Sequence, residues 1–394
     1  MKPTLLILVS ILFLSCNIPQ HKAKNYQNAL KVIKQHYNLI ELTTNNGASR
    51  IAIAPEIQGK ILTSSYNGLD GNSNGWLNLE IFNNAPYNIA AIGGEERLWL
   101  GPLGGQYSFY YQNIKPLNEN NWKVPNPIGL DGYQLINKSE TFVNMQKHMI
   151  INNHIDTKFN LLVKRKISIL DDSQIKKNLS IQFNKSLKRV AYKTEQSLIN
   201  TGTNTLKKET GLVSLWSAGM FKGSNKTVVI IPLKDTTITN LYQYMGSLDS
   251  TRLYINKNNV LLFKADGKYR SKIGVPKHLA PKIYGCYAKD LNRLTIVQYL
   301  QTNDSLYANS HAKVQEHPYK GEVIPIYNNG TMDYSPALET SFYELESTSA
   351  MRELKPNIDT LKHWQSVYHF SGKDVELNKI ALKLLNIDLK DCSL

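Results

Sequence analysis

The sequence predicts an all-β fold: an antiparallel sandwich of long, many-stranded sheets with a short helix at each end. Three observations predict it. Apolar residues recur with period two in segments spread along the chain, Asn-Gly or Asp-Gly dipeptides punctuate those segments, and no Pro/Ser-rich linker or fixed-period repeat interrupts the interior. A composition of 42% hydrophobic and 20% charged residues, with 22 tyrosines, suits half-buried strands and excludes a disordered chain or a coiled coil.

Taken in order, Lys2 precedes an apolar run from Leu5 to Leu14 that is too short to span a bilayer and ends Leu14-Ser15-Cys16. Residues 1–15 read as a lipoprotein signal peptide. A small residue directly before Cys16 resembles the bacterial lipobox, which would make Cys16 the lipidated first residue of the mature chain; a plain secretory signal ranks second. Residues 16–24 form a polar tether containing Pro19, and 25–394 read as a single domain. Tyr26, Leu30, Ile33 and Tyr37 fall at helical spacing. Strands are expected at 50–54, 159–163, 179–183, 227–232, 259–263, 294–300 and 341–346. Asn46-Gly47, Asn67-Gly68, Asp266-Gly267 and Asn329-Gly330 each allow the positive φ of a tight hairpin, and Asp266-Gly267 is expected to be a hairpin turn. Ser371 and Asp374 have capping-box spacing ahead of a closing helix with Leu377, Ile380, Ala381, Leu384 and Leu385 on one face.

The formal charge of +15 and pI near 9.4 would fit nucleic acid, but export argues against it. Anionic lipid headgroups or an acidic polysaccharide fit better, beside the plainer reading of a generally basic protein. With three cysteines there is no disulfide framework, and Cys286 and Cys392 are expected as unpaired thiols. The histidines and cysteines lack zinc-like spacing, and neither a P-loop nor a G-x-S-x-G elbow occurs, so neither metal nor cofactor is expected.

The densest chemistry lies at residues 93–102 (GGEERLWLGP), where glycines bracket Glu95, Glu96, Arg97 and Trp99. Arg97 can clamp hydroxyls or a carboxylate and Trp99 offers a ring face to a pyranose; a loop in which Arg97 has only a structural ion pair reads equally well. Glu344 and Glu346 share one face of an expected strand and would perturb each other if that face lines a cleft. Arg270 and Lys272 form a small cationic stripe, with either a binding or a solvated role.

These residues, together with stretches 50–76, 93–107, 211–221, 265–275, 327–330 and 343–356, resemble the galactose-mutarotase-like superfamily. Within it the chain is similar to a branch of bacterial secreted proteins carrying a GGExRxWLGP loop (DUF6786-like). The resemblance implies a β-supersandwich that binds carbohydrate in a cleft on one sheet. In aldose 1-epimerases a late strand reading roughly LET carries the general base; Leu345-Glu346-Ser347 looks like that strand, so the base role falls on Glu346. The epimerase acid is a histidine in a mid-chain strand, and the matching region 200–221 here contains none. Glu96, Tyr327 and His317 remain as acid candidates. The expected function is acid/base chemistry on a sugar, of epimerase, glycosidase or lyase type, in a cell-envelope lipoprotein; the alternative is a non-catalytic sugar-binding lipoprotein. Glu346, Glu96 and Arg97 are the catalytic candidates. Trp99, Trp76, Trp216, Arg270, Lys272, Tyr327 and His317 are the substrate-binding ones. Glu346, Glu96, Arg97 and Trp99 are expected to converge in one pocket.

Overall fold

The structure, a computed structural model, describes residues 25–83, 85–235, 241–332 and 341–394, so the signal peptide, Cys16 and the tether lie outside the described residues. Helix α1 (Tyr26–Ile33) buries Tyr26, Leu30 and Ile33, with Asn25 as its N-cap. Strands β1 (Ile40–Thr44), β2 (Ser49–Ala54) and β3 (Lys60–Ser65) form a three-stranded sheet; Asn46 and Gly47, both at positive φ, close the β1–β2 turn. Then come β4 (Arg97–Gly101), α2 (Asn126–Gly129), β5 (Gln134–Lys138), β6 (Phe142–Asn152), β7 (Lys158–Ile169), α3 (Asp172–Leu179), β8 (Lys188–Asn200), β9 (Ser214–Lys222) and β10 (Thr227–Pro232). The chain continues through β11 (Tyr242–Met245), β12 (Leu253–Ile255), β13 (Val260–Lys264), β14 (Ser271–Pro276), β15 (Ile283–Ala288) and β16 (Arg293–Tyr299). It closes with β17 (Glu322–Asn328), β18 (Phe342–Thr348), β19 (Thr360–Ser371) and α4 (Asp374–Leu385).

Two larger sheets dominate. One has ten strands in the order β12-β13-β10-β15-β16-β19-β8-β7-β6-β5; the other has six, β11-β14-β17-β18-β9-β4. The fold is therefore mostly β, built from large antiparallel sheets. Long strands such as β6 and β7 alternate buried and open positions, so one side chain in two enters the core. Val163, Ile167, Tyr192, Leu198, Val297 and Val367 of the large sheet meet Leu98, Leu100, Leu215, Ile273, Ile326 and Leu345 of the smaller one in a continuous apolar core. On its other face, one half of the large sheet is roofed by α3 and α4: Ile175, Leu179, Leu377, Ile380 and Leu385 cover Val228, Ile230, Leu294, Ile296 and Phe370.

Three local expectations need correction. Residues 179–183 are not a strand: Asp171 and Gln174 form a capping box that starts α3, and Ser180 at φ +53° ends it, leaving Leu179 and Ile181 buried under the helix end. Asp266-Gly267 does not close a hairpin. It carries the chain from β13 in the large sheet to β14 in the smaller one, and Arg252 holds the Asp266 carboxylate at 2.8 and 3.1 Å. Ser371 belongs to β19, and α4 starts from Lys373 without a side-chain cap. Cys286 and Cys392 are both free thiols.

Candidate functional site

The outer face of the six-stranded sheet holds a cavity of about 430 Å³. Strand registry sets its floor. Arg97, Ala218 and Glu346 lie in one row across β4, β9 and β18; Met220, Glu344, Tyr327 and Lys272 lie in the next across β9, β18, β17 and β14. Trp99 pairs with Trp216 one row away from Arg97. Residues far apart in sequence thus converge because they share a pleat face.

The glycine-rich segment delivers Arg97 to this face. Gly93 takes φ +86°, and a Cβ there would sit 2.4 Å from the Trp76 carbonyl oxygen, so no other residue fits the approach. Backbone bonds between Gly94 and Trp76 and between Glu96 and Ile61 then lead the chain into β4.

Two ion pairs and three indoles define the chemistry. Arg97 Nη2 donates to Glu344 Oε1 at 2.9 Å, and the Arg97 guanidinium lies 4.3 Å from the Trp99 ring centre. Lys272 Nζ lies 3.6 Å from Glu346 Oε2 and 4.9 Å from the Trp216 ring centre, while Trp216 Nε1 donates to Glu346 Oε2 at 2.6 Å. Glu346 Oε1 is buried without a hydrogen-bond partner. Burial pushes the Glu346 carboxyl up toward neutral, against the lowering pull of Lys272. Trp122 stacks on Tyr110 and tilts toward Trp99, extending the aromatic wall.

Of the residues singled out in the sequence, Arg97, Trp99, Trp216, Arg270, Lys272 and Tyr327 line the cavity, and Glu346 lies immediately behind its wall. The structure does not bring Glu96 there. Glu96 immediately precedes β4 and its side chain enters the interior, where Arg165 Nη1 donates to Oε1 at 3.3 Å, Arg165 Nη2 pairs with Oε2, and Thr194 donates to Oε1 at 3.3 Å. Of the four residues expected to converge, Arg97 and Trp99 line the cavity, Glu346 lies buried behind its wall, and Glu96 turns away, because successive extended residues point to opposite faces. Trp76 stands behind the cavity against Phe342, ring centres 4.7 Å apart, and His317 is on the surface, its side chain 56% exposed and 3.7 Å from Glu316.

Glu344, paired with Glu346 on one strand face by the sequence, lines the cavity itself, and several further groups there carry no sequence signal. Lys60 reaches it from β3, donates to the Gly93 carbonyl at 3.1 Å, and has its ammonium pushed down to about 7 by burial and by Arg97. Trp122 and His311 come from irregular segments that carry no periodic signal. Tyr244 and Ser310, also at the cavity, both bond the buried Glu322 carboxylate, whose pKa burial raises. Among the described residues no group of three or more His, Cys, Asp or Glu is arranged to hold a metal ion, and no helix is long and apolar enough to cross a membrane.

Fold and site together describe an antiparallel sandwich with an aromatic, charge-paired pocket on the smaller sheet. Over residues 24–394 the chain matches DUF6786, a family of unknown function, and it belongs to that family. No curated protein matches the sequence at a significant level. Among solved structures the fold is that of the Slr1438 protein of Synechocystis sp. PCC 6803, at 10% identity and a TM-score of 0.51, covering 86% of this chain and 97% of that one. The chain is also similar to a galactose mutarotase-like protein from Lactobacillus casei ATCC 334, at 10% identity and a TM-score of 0.49, covering 84% of this chain and 100% of that one. A galactose mutarotase related enzyme from Lactobacillus acidophilus is similar too, at 11% identity and a TM-score of 0.48, over 86% of this chain and 99% of that one.

Proposed function

We propose that the protein is a carbohydrate-active lipoprotein of the bacterial cell envelope, performing acid/base chemistry on a sugar held in the cavity of the six-stranded sheet. Residues 1–15 act as the leader, Cys16 carries the lipid, 16–24 tether the chain, and 25–394 work as one domain. The observation that carries the reading is Glu346, a buried carboxyl raised toward neutral, with one oxygen unpartnered behind a wall of indoles and cations. A carboxyl that titrates near neutrality can both take and return a proton at ambient pH.

Arg97 and Glu344 hold sugar hydroxyls, and Trp99 and Trp216 supply apolar ring surface. Movement of the Lys272 side chain away from Glu346 opens the way from the cavity to that carboxyl, which accepts the proton of the anomeric hydroxyl. Lys60 gives its proton to the ring oxygen, filling the place that the missing histidine leaves; a lysine brought down to about 7 is half protonated near neutral pH. Ring opening and reclosure on the other face interconvert the anomers without any net redox change.

The second reading, a non-catalytic sugar-binding lipoprotein, is favoured by one observation: Glu346 has no exposed surface. Polarimetry of freshly dissolved α-sugars, with release of reducing ends measured alongside, separates the two. Acid/base catalysis predicts that Glu346→Gln slows turnover by about 100-fold or more. Equal rates in the variant and wild type remove Glu346 from the chemistry. Glycan binding by wild type with no turnover over a broad panel establishes the binding reading.

A further inference from the structure

The outer face of the ten-stranded sheet is roofed by α3 and α4 over only half its width; the remainder, formed by β5, β6, β7, β8 and the first part of β19, holds an open trough of about 520 Å³. It lies on the far side of the sandwich from the candidate active site. Lys164 and Lys166 alternate along β7 with Arg165, whose guanidinium reaches into the interior to Glu96, so the two lysines point outward.

Registry makes the trough a cationic platform. Lys164 and Lys362 flank Ser197 in one row across β7, β8 and β19; Lys166, Glu195 and Trp364 form the adjacent row. Two strand spacings put the Lys164 and Lys362 backbones about 10 Å apart, and two residues along β7 put Lys166 about 7 Å from Lys164. The one carboxylate at the trough, Glu195, is already answered by Lys193 at 3.0 Å, and Lys193 also lies 5.1 Å from the Trp364 ring centre. None of the three lining ammonium groups forms an ion pair among the described residues. Lys166 Nζ also lies 5.5 Å from the Phe142 ring centre, and folding gathers three ammonium groups against one carboxylate within roughly a Debye length of one another, an arrangement that an anionic ligand stabilises.

We infer that this trough is a second binding surface and that its occupant is an acidic polysaccharide, a chain bearing carboxylate or sulfate groups. Charge complementarity selects the anion. The rest of the lining selects a sugar polymer: the Gln146 amide and Ser197 hydroxyl offer hydrogen bonds to ring hydroxyls between the ammonium groups, and the half-buried Trp364 offers apolar surface. A recess open at the surface admits a linear chain, whereas a flat bilayer meets only its rim. Holding a polymer on one side of the sandwich raises the local concentration of its ends and branches around the molecule, including at the cavity on the other sheet.

The test is affinity electrophoresis of the whole protein through gels containing polygalacturonate or, as the neutral control, dextran. Wild type and a Lys164→Glu/Lys166→Glu/Lys362→Glu variant are compared at low and high salt, and thermal melting serves as the folding control. Retardation by polygalacturonate alone, weakened at least tenfold in the variant and by added salt, is the expected result. Binding of monosaccharide in the cavity is expected to be unchanged, so the trough can fail while the cavity stands, and the reverse. Equal retardation of variant and wild type overturns the inference, as does equal retardation by dextran. So does binding to phosphatidylglycerol vesicles, lost in the variant, by a wild type that ignores polygalacturonate. If the triple variant does not fold, Lys164→Gln/Lys362→Gln replaces it and is expected to weaken polygalacturonate binding severalfold.

Discussion

Between Glu96 and Arg97 the chain crosses from one side of a sheet to the other, and two ion pairs of similar chemistry end in different surroundings. Glu96 faces inward, where Arg165 grips it with both guanidinium nitrogens and Thr194 adds a third bond; both side chains are fully buried. Arg97 faces outward and meets Glu344 through one nitrogen at the wall of a cavity, its Nε left unbonded. Beside that pair, Glu346 also keeps an unbonded oxygen. A closed, fully bonded pair fixes structure, and an open pair with bonding capacity to spare can take a ligand. Burial and charge pairing alone therefore do not mark a functional site; a pair at a cavity wall with bonding capacity to spare is the better candidate.

Breaking each pair sharpens the contrast. The largest effect is expected from Glu96→Gln, which leaves the Arg165 charge buried without its counter-ion and should cost about 3–5 kcal/mol of stability in denaturant titration. Arg97→Met should cost less, roughly 1.5–3 kcal/mol, because water in the cavity can solvate Glu344, yet it should weaken sugar binding at least tenfold by calorimetry. Equal stability losses in the two variants would erase the distinction.

Lys60 gives a pH-dependent form of the test. Its folded pKa lies below its unfolded one, so the stability tied to it is present above the unfolded value of 10.5 and is lost as pH falls toward about 7. Lys60→Met should therefore melt a few degrees above wild type at pH 7, with the gap closing as pH approaches 10.5; a gap independent of pH would contradict this. The smallest effect is expected from Trp216→Phe, which removes the indole bond to Glu346 and costs about 1 kcal/mol. Because that bond lowers the Glu346 pKa, the acidic inflection of the pH–rate profile should move upward in the variant.

Much of this arrangement was legible in the sequence, and the part that was not has physical reasons. The run at 227–232 coincides with β10, and 294–300 and 341–346 overlap β16 and β18, because strands buried on one or both faces keep their apolar signal. Residues 179–183 misled because three apolar residues at alternate positions fit a helix end packed on a sheet as well as they fit a strand. The split between Glu96 and Arg97 is hidden in the sequence, because the flanking glycines read as a loop and the strand starts only at Arg97. Glu344 is legible from the two-residue period, which puts it on one strand face with Glu346. Lys60, Trp122 and His311 carried no signal, because their role depends on which strands and loops the topology brings around the cavity. His311 and His317 were indistinguishable by spacing; only the structure sets one at the cavity and the other on the surface.

On the proposed function a sugar binds at the outward face of the six-stranded sheet and not in the charged interior beneath it. A crystal structure of the protein soaked with a monosaccharide tests it most directly. Density for the sugar is expected in the cavity against Trp99 and Trp216, with hydroxyls bonded to Arg97 and Glu344 and the anomeric carbon on the side of Glu346. An empty cavity at saturating sugar, or a sugar bound away from these residues, would contradict it.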